Sequence, residues 1–306
     1  MKAWINLVWL LAIGVLLTGS SAIAQDGVLA NGWRISPGSD PLEQRAAADL
    51  QMLLRDEQDI SLELVGADAT GPGRIIIGTP ADHPAITAAH QANPFRHESL
   101  APEGYHMQFR DGSLYIVGAT PKGAMNGTFR LLDHVADRGS LDVSKYDEAI
   151  RPAFRHRVGG DLINQHPPRE FTELDRARAH ARHYVNVVWG EKHGPSLSYE
   201  ARKAYGLGLM VEVKYPPEIN GSRDYLSLPE YASASYYHKG TEGRRVLDPF
   251  DPVGKEVYLR AYRDLLEQNP DVTIFYGLFG DYSVIPGPDS RRVSDGKPYE
   301  HSRLDS

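Results

Sequence analysis

Nine residues, Val272-Thr-Ile-Phe-Tyr-Gly-Leu-Phe-Gly280, run without a charge between Pro270-Asp271 and Asp281-Tyr282. An apolar run of this length, bounded by turn residues, predicts a strand buried on both faces, as in a parallel sheet. The chain before it alternates in the way such a sheet requires. Arg155-His-Arg-Val-Gly-Gly-Asp161 predicts a first strand, followed by a helix from about Pro168 to His183. Tyr184-Val-Asn-Val-Val-Trp189 predicts a second strand, with a short helix over Ser198 to Tyr205 after it. Leu207 to Tyr215 predicts a third, and then comes an insertion, Pro216 to Asp251, rich in Tyr and Ser. Val253 to Gln268 is amphipathic at helical spacing, and the opening run is the fourth strand. Strand and helix alternating four times predict parallel βαβ units, in a barrel or a doubly wound sheet.

Size limits what this sheet can become. A complete (β/α)8 barrel takes ~250 residues, and 156 lie between Arg151 and Ser306. The polar tail with Ser290-Arg-Arg-Val-Ser-Asp-Gly-Lys-Pro298 offers no fifth strand. The expectation is half a barrel, in a chain either truncated relative to its relatives or completed by another.

Composition excludes several partners. The formal net charge is -7 with a pI near 5.9, and no run of Lys or Arg exceeds two residues. Nucleic acid and anionic membranes therefore find no basic patch. Met1 to Ala24 carries Lys2, an apolar stretch from Ile5 to Leu17 and Ala22-Ile-Ala24 before Gln25. That is the layout of a cleavable signal peptide, cut after Ala24, and it predicts a periplasmic or secreted protein with no membrane attachment after cleavage. The absence of cysteine rules out disulfides, a thiolate nucleophile and Cys-ligated zinc. No motif calls for a cofactor or a metal. His180 and His183 stand three apart on a helix with no third ligand nearby, and Gly71-Pro-Gly-Arg precedes its strand where a phosphate loop should follow one.

Residues 25–150 have a different rhythm. Pro41 to Arg55 repeats Leu42, Ala46, Leu50, Leu53 and Leu54 at helical spacing, with Asp40 as N-cap and Pro41 at the first position. Ser61 to Val65 alternates like a strand, and Arg74-Ile-Ile-Ile-Gly78 is a short buried one. Tyr105 to Arg110 and Ser113 to Val117 predict a hairpin turning at Asp111-Gly112. Lys122 to Val135 predicts a second helix despite Gly127, and the whole predicts a small α+β layer with helices on a sheet face.

Several phrases here, Glu43-Gln-Arg-Ala-Ala-Ala-Asp-Leu-Gln51, Ile75-Ile-Ile-Gly78, Gly104-Tyr-His-Met, Leu114-Tyr-Ile-Val-Gly118 and above all Lys122-Gly-Ala-Met-Asn-Gly-Thr-Phe-Arg-Leu-Leu132, carry a family resemblance. They resemble the N-terminal domain shared by α-glucuronidases of glycoside hydrolase family 67 and β-hexosaminidases of family 20. The resemblance implies a hexosaminidase-like α+β sandwich over 25–150, packed beside a TIM (β/α)8-type barrel that begins in 151–306. It also implies that His83, His97, His106 and Asp133 are surface or structural residues.

The carboxyl ends of parallel strands are where such folds keep their chemistry. The four exits offer Asp161 and Asn164; Trp189, Glu191 and His193; Glu212, Lys214 and Tyr215; and Asp281 and Tyr282. A glycosidase needs an acid to protonate the leaving oxygen and a second carboxylate or substrate group to attack or activate water. Aromatic faces stack on sugar rings, which suits Trp189, Tyr215 and Tyr282 to a substrate rim. Phe279-Gly280-Asp281-Tyr282 is similar to the Gly-Gly-Asp-Glu strand end of family 20, with Tyr282 where that family keeps its acid. A phenol with pKa near ~10 donates poorly at neutral pH. In family 67 the acid also follows the fourth strand, so the resemblance points to Asp281 as donor, with a structural or substrate-binding role as its alternative.

We expect Trp189, Glu191, Asp161, Tyr215 and Tyr282 to contact substrate. Arg151, Arg155 and Arg157 are either a uronate clamp or structural, Glu212 lies on a strand and either faces the site or solvent, and Asp251 is a helix cap. The expected function is an exported glycoside hydrolase, α-glucuronidase-like or hexosaminidase-like, acting on a carbohydrate. The rival reading is a non-catalytic carbohydrate-binding or scaffold protein.

Overall fold

The structure, a computed structural model, describes residues 27–138, 141–159, 171–190, 197–213, 235–237, 245–247, 251–277 and 291–292. Two compact units emerge from it. The first comprises Met1–Arg157, Pro167–Asn186 and Leu197–Leu207, the second Val158–His166, Val187–Ser196 and Gly208–Ser306.

The first unit opens with strand β1 (Arg34–Pro37) and helix α1 (Pro41–Gln58). The predicted cap is present: the Asp40 side chain accepts the Leu42 N–H at 2.8 Å, with proline at the first turn. Strands β2 (Glu63–Leu64) and β3 (Arg74–Gly78) follow, then helix α2 (Pro84–Ala92) and a 3-10 turn over Arg96–Ser99. The predicted hairpin is β4 (Tyr105–Arg110) and β5 (Ser113–Gly118), in register from Tyr105↔Gly118 to Arg110↔Ser113. Its turn residues Asp111 and Gly112 have φ of 50° and 69°, the left-handed pair that a type I′ turn demands. Helix α3 (Pro121–Arg138) and strand β6 (Asp147–Ile150) complete a six-stranded sheet of order β2-β1-β3-β5-β4-β6. Strands β2, β1, β3 and β5 run parallel, and β4 runs antiparallel to both of its neighbours.

Alternation along the buried strands gives the sheet two apolar faces. Ile76, Tyr115 and Val117 join Ile86 of α2 and Phe95 in one cluster. Ile116, of opposite parity, faces α3: a Cβ on Gly127 would stand 2.6 Å from its Cγ2 and 3.0 Å from the Tyr105 ring. Gly123 is tighter still, since a Cβ there would lie 2.2 Å from the Gly104 carbonyl oxygen. The two small residues let α3 lie against the sheet, as the sequence motif implies. Helix α1 packs beside α3, so two helices cover one face and α2 the other. This corrects the expectation of helices on a single face. Strand β6 and helix α2 escape the sequence reading because β6 is a half-polar edge and α2 buries only Ile86.

Helices α4 (Glu173–Arg182) and α5 (Tyr199–Ala204) also belong to the first unit. Thr172 and Asp175 form a reciprocal capping box on α4, and Ser198 caps α5 through the Ala201 N–H.

The second unit is built on β7 (Val158–Gly159), β8 (Val187–Trp189), β9 (Gly208–Val213) and β12 (Val272–Gly277), all parallel in the order β12-β9-β8-β7. Each strand sits beside its sequence neighbour within this sheet. A doubly wound sheet reverses strand order at a switch point, and these four strands show no reversal. Helix α6 (Pro252–Gln268) precedes β12, and Asp251 caps it by accepting the Val253 N–H at 2.8 Å. The insertion contributes β10 (Ser235–Tyr237) and β11 (Arg245–Leu247), and the tail contributes β13 (Arg291–Arg292). Strand β13 pairs antiparallel with β10, so the tail adds its short strand to a separate three-stranded sheet. No described helix is long and apolar enough to cross a membrane.

Candidate active site

The carboxyl edge of the parallel sheet can be followed row by row. Val158 is level with Val187 and Gly159 with Val188; Val187, Val188 and Trp189 are level with Gly208, Leu209 and Met210. Met210 to Val213 in turn align with Ile274 to Gly277. Trp189, Met210 and Ile274 thus share one row, and in a parallel sheet neighbours in a row turn to the same face. Pairing continues one residue past β8, where the Gly190 N–H donates to the Met210 carbonyl at 2.8 Å. Trp189 is half-buried at the very end of its strand, while Val187 and Val188 below it are fully buried.

Of the residues expected to touch substrate, Trp189 is the one inside the described structure. Asp161, Glu191 and Tyr215 each follow the last residue of their strand by two positions, and Asp281 and Tyr282 follow Gly277 by four and five; all five lie outside the described residues, as do Asn164, His193 and Lys214. The Glu212 backbone is paired within β9, level with Tyr276.

The arginines divide. Arg151 and Arg155 are exposed. Arg157 belongs to the first unit and is committed there: its guanidinium donates to the Glu103 carboxylate, to the Tyr184 carbonyl at 2.6 Å and to the Phe154 carbonyl at 2.7 Å. Of its two expected roles, it takes the structural one. Asn186 joins it, donating to Glu103 at 2.7 Å and accepting the Arg157 N–H at the same distance. His180 is buried on α4, and burial pushes its imidazole down to about 4, so it is neutral at ordinary pH. His183 closes the same helix as its C-cap.

His83, His106 and Asp133 of the first domain are structural, and more deeply so than the sequence indicates, and His97 is buried. Nδ1 of His83 accepts the Ala85 N–H as the cap of α2, which leaves Nε2 to donate to the Ser36 carbonyl at 3.1 Å. His106 is buried with Nε2 2.7 Å from Asp147. Asp133 accepts from the Tyr184 hydroxyl at 2.7 Å.

Sequence periodicity missed a set of buried ionisable groups in this unit, because charged residues on a helix read as solvent-facing. Lys122 donates to the Tyr205 carbonyl at 2.6 Å, and burial lowers its ammonium to about 8. Asp49 is buried beside Arg178. Glu43 is fully buried, and desolvation together with Asp82 pushes its carboxyl up to about 10.

No protein-family model matches the sequence, and no curated protein matches it. Solved structures do. The chain is similar to BtGH115A, a family GH115 4-O-methyl-α-glucuronidase with specificity for decorated arabinogalactans, at 17% identity and a TM-score of 0.53, over 91% of this chain and 38% of that one. It also matches the GH20 β-N-acetylhexosaminidase from Streptomyces coelicolor A3(2) at 14% identity and a TM-score of 0.47, over 78% of this chain and 54% of that one. A GH138 enzyme targeting pectin rhamnogalacturonan II matches at 12% identity and a TM-score of 0.45, over 79% of this chain and 30% of that one. The chain spans 30% to 54% of the length of the first structures it matches. At these identities the likeness is one of fold, and the fold shared with the α-glucuronidase is the one that the sequence motifs lead one to expect.

Proposed function

We propose that this chain is an exported glycoside hydrolase of the α-glucuronidase or hexosaminidase type, in which β7, β8, β9 and β12 form the first half of a (β/α)8 barrel. The observation that carries the reading is the sequential, all-parallel order of those strands with Trp189 at their carboxyl edge. Connectivity then delivers the residues just past each strand to the same edge. Asp281 protonates the departing glycosidic oxygen, Trp189, Tyr215 and Tyr282 hold the sugar ring by stacking, and Asp161 and Glu191 are the carboxylates from which a base or nucleophile is drawn. The fold shared with BtGH115A supports a uronic-acid-decorated glycan as the substrate class. Removal of a signal peptide after Ala24 would place the protein in the periplasm or outside the cell.

The test is turnover of aryl glucuronosides, aryl N-acetylhexosaminides and glucuronosylated oligosaccharides by the full chain. Asp281→Asn is expected to reduce the rate by at least about a hundredfold, the loss typical of a general acid. Turnover unchanged in that variant would remove Asp281 from the mechanism. Binding of the same oligosaccharides with no turnover by the wild type would instead favour a non-catalytic binding protein.

A further inference from the structure

The sheet of the first unit has a switch point of its own. Strands β1 and β3 are adjacent and parallel, yet the helix after β1 covers one face and the helix after β3 the other. Their exit segments part in opposite directions, and in open α/β sheets such a parting leaves a crevice outside the strand ends.

Two carboxyl groups fill this one. Glu43, in the first turn of α1, is 0% exposed. A Cβ on Gly38, the residue after β1, would lie 2.1 Å from Glu43 Oε2 and 3.1 Å from Asp82 Oδ2. A Cβ on Gly78, the last residue of β3, would lie 3.4 Å from both Glu43 Oε2 and Asp82 Oδ1. Gly38 leaves room for both acids where a side chain would displace Glu43, and Gly78 borders them at ordinary contact distance. Asp82 is anchored as an acceptor, since its Oδ1 takes the Thr79 N–H at 2.9 Å and the Thr79 hydroxyl at 2.8 Å. Neither Glu43 oxygen makes a hydrogen bond of good geometry; the polar groups that face it are the Asp82 carboxyl and, more weakly, the Asp40 backbone N–H.

We propose that Glu43 and Asp82 hold one proton between them, Glu43 as the neutral acid donating to the Asp82 carboxylate, and that this bond fastens the start of α1 to the β3–α2 turn as a pH-sensitive latch. A fully buried carboxylate facing a second, half-buried one cannot remain ionised without a large penalty. The other ionisable neighbours do not relieve it. Asp40 on the same side adds negative charge and keeps its own oxygen on the Leu42 N–H, and the relief its backbone N–H gives Glu43 is smaller than the effects of burial and Asp82. His83, on the turn into α2, is held neutral by burial and has both ring nitrogens engaged. Arg74 on β3 donates to the Gly71 and Ala69 carbonyls.

The direction of the pH effect follows. Glu43 is raised from 4.5 to about 10, chiefly by desolvation and then by Asp82. The folded unit therefore keeps a proton that the unfolded chain releases above about 4.5, and the latch is lost as pH rises toward about 10. Its contribution to the folding equilibrium falls about tenfold per pH unit in that window.

The experiment compares wild type, Glu43→Gln and Asp82→Asn as full chains. Glu43→Gln supplies the missing donor without a titrating proton, whereas Asp82→Asn offers a donor to a Glu43 that can still ionise. Thermal midpoints from pH 5 to 9 are expected to diverge, Glu43→Gln gaining about 3–5 °C on the wild type per pH unit and Asp82→Asn gaining less. In the infrared, the wild type at pH 7 should show the carbonyl stretch of a neutral carboxylic acid that Glu43→Gln lacks. Parallel pH profiles, or no such band, would overturn the latch. So would a gain in wild-type midpoint on adding calcium or magnesium that Glu43→Gln abolishes, because the pair would then hold a cation in place of the proton. If a variant fails to fold, the wild-type band and its disappearance at alkaline pH decide the matter.

Discussion

The described residues of the two compact units differ in what they bury. In the first, charged side chains go inside and find one another: Arg157 and Asn186 close on Glu103, Tyr184 on Asp133, Lys122 on the Tyr205 carbonyl, and Arg178 on Asp49 and Asp175. In the second, the described interior is a plain apolar ladder of Val187, Val188, Leu209 and Met210, and the acids of interest come after the strands end. A charge held by several protein partners is committed to architecture. This explains why Arg157, a reasonable uronate clamp by sequence, is a structural residue.

Removing the centre of the first network should have the largest effect on stability. Glu103→Ala leaves Arg157 and Asn186 without their shared acceptor, and breaking a buried pair costs about 3–5 kcal/mol. Side-chain exposures of 20% for Arg157 and 22% for Glu103 bring the expected loss to the lower end, about 3 kcal/mol. Denaturant unfolding of wild type and variant measures it. A loss below about 1 kcal/mol, the level of a surface pair, would erase the distinction between the units.

Close packing comes next. Gly127→Ala places a methyl 2.6 Å from Ile116 Cγ2. Overpacking of this kind costs about 1–3 kcal/mol, and the better helix propensity of alanine returns up to about 1 kcal/mol. A net loss of about 1–2 kcal/mol is expected from those terms, read from the same unfolding curves. A stabilised variant would mean that α3 can lift off the sheet at little cost.

How far the sequence carries the reader depends on whether a feature is local. Caps, the Asp111-Gly112 turn and the alternating strands are written in a few adjacent residues, and each appears where it is expected. Glu43 is illegible as a core residue, because its reason for burial lies in Gly38, Gly78 and Asp82, two strand ends away. Lys122 is hidden likewise, its acceptor being 83 positions further along. The helices α4 and α5 appear where the sequence predicts them, but nothing local says that α4 pairs Arg178 and Arg182 with α1 and α3. For the candidate site, the sequence locates the strand ends, and the structure adds the register that puts Trp189 level with Met210 and Ile274.

The smallest expected effect is the sharpest control on the comparison, because the two units contain the same device. Asp40 and Asp251 both have φ of -69° and ψ of 137°, both precede a proline, and both accept the N–H two residues on at 2.8 Å. Replacing either by alanine removes one capping bond, worth about 1 kcal/mol. Local chemistry being equal, any difference in outcome reports the unit around the helix. Hydrogen exchange resolved by segment should show Asp40→Ala lowering protection across β1, β3 and β5 and Asp251→Ala lowering it in α6, β9 and β12. Equal loss across all these segments in both variants would mean that the two units open as a single cooperative body, and the two kinds of interior would then belong to one folding unit.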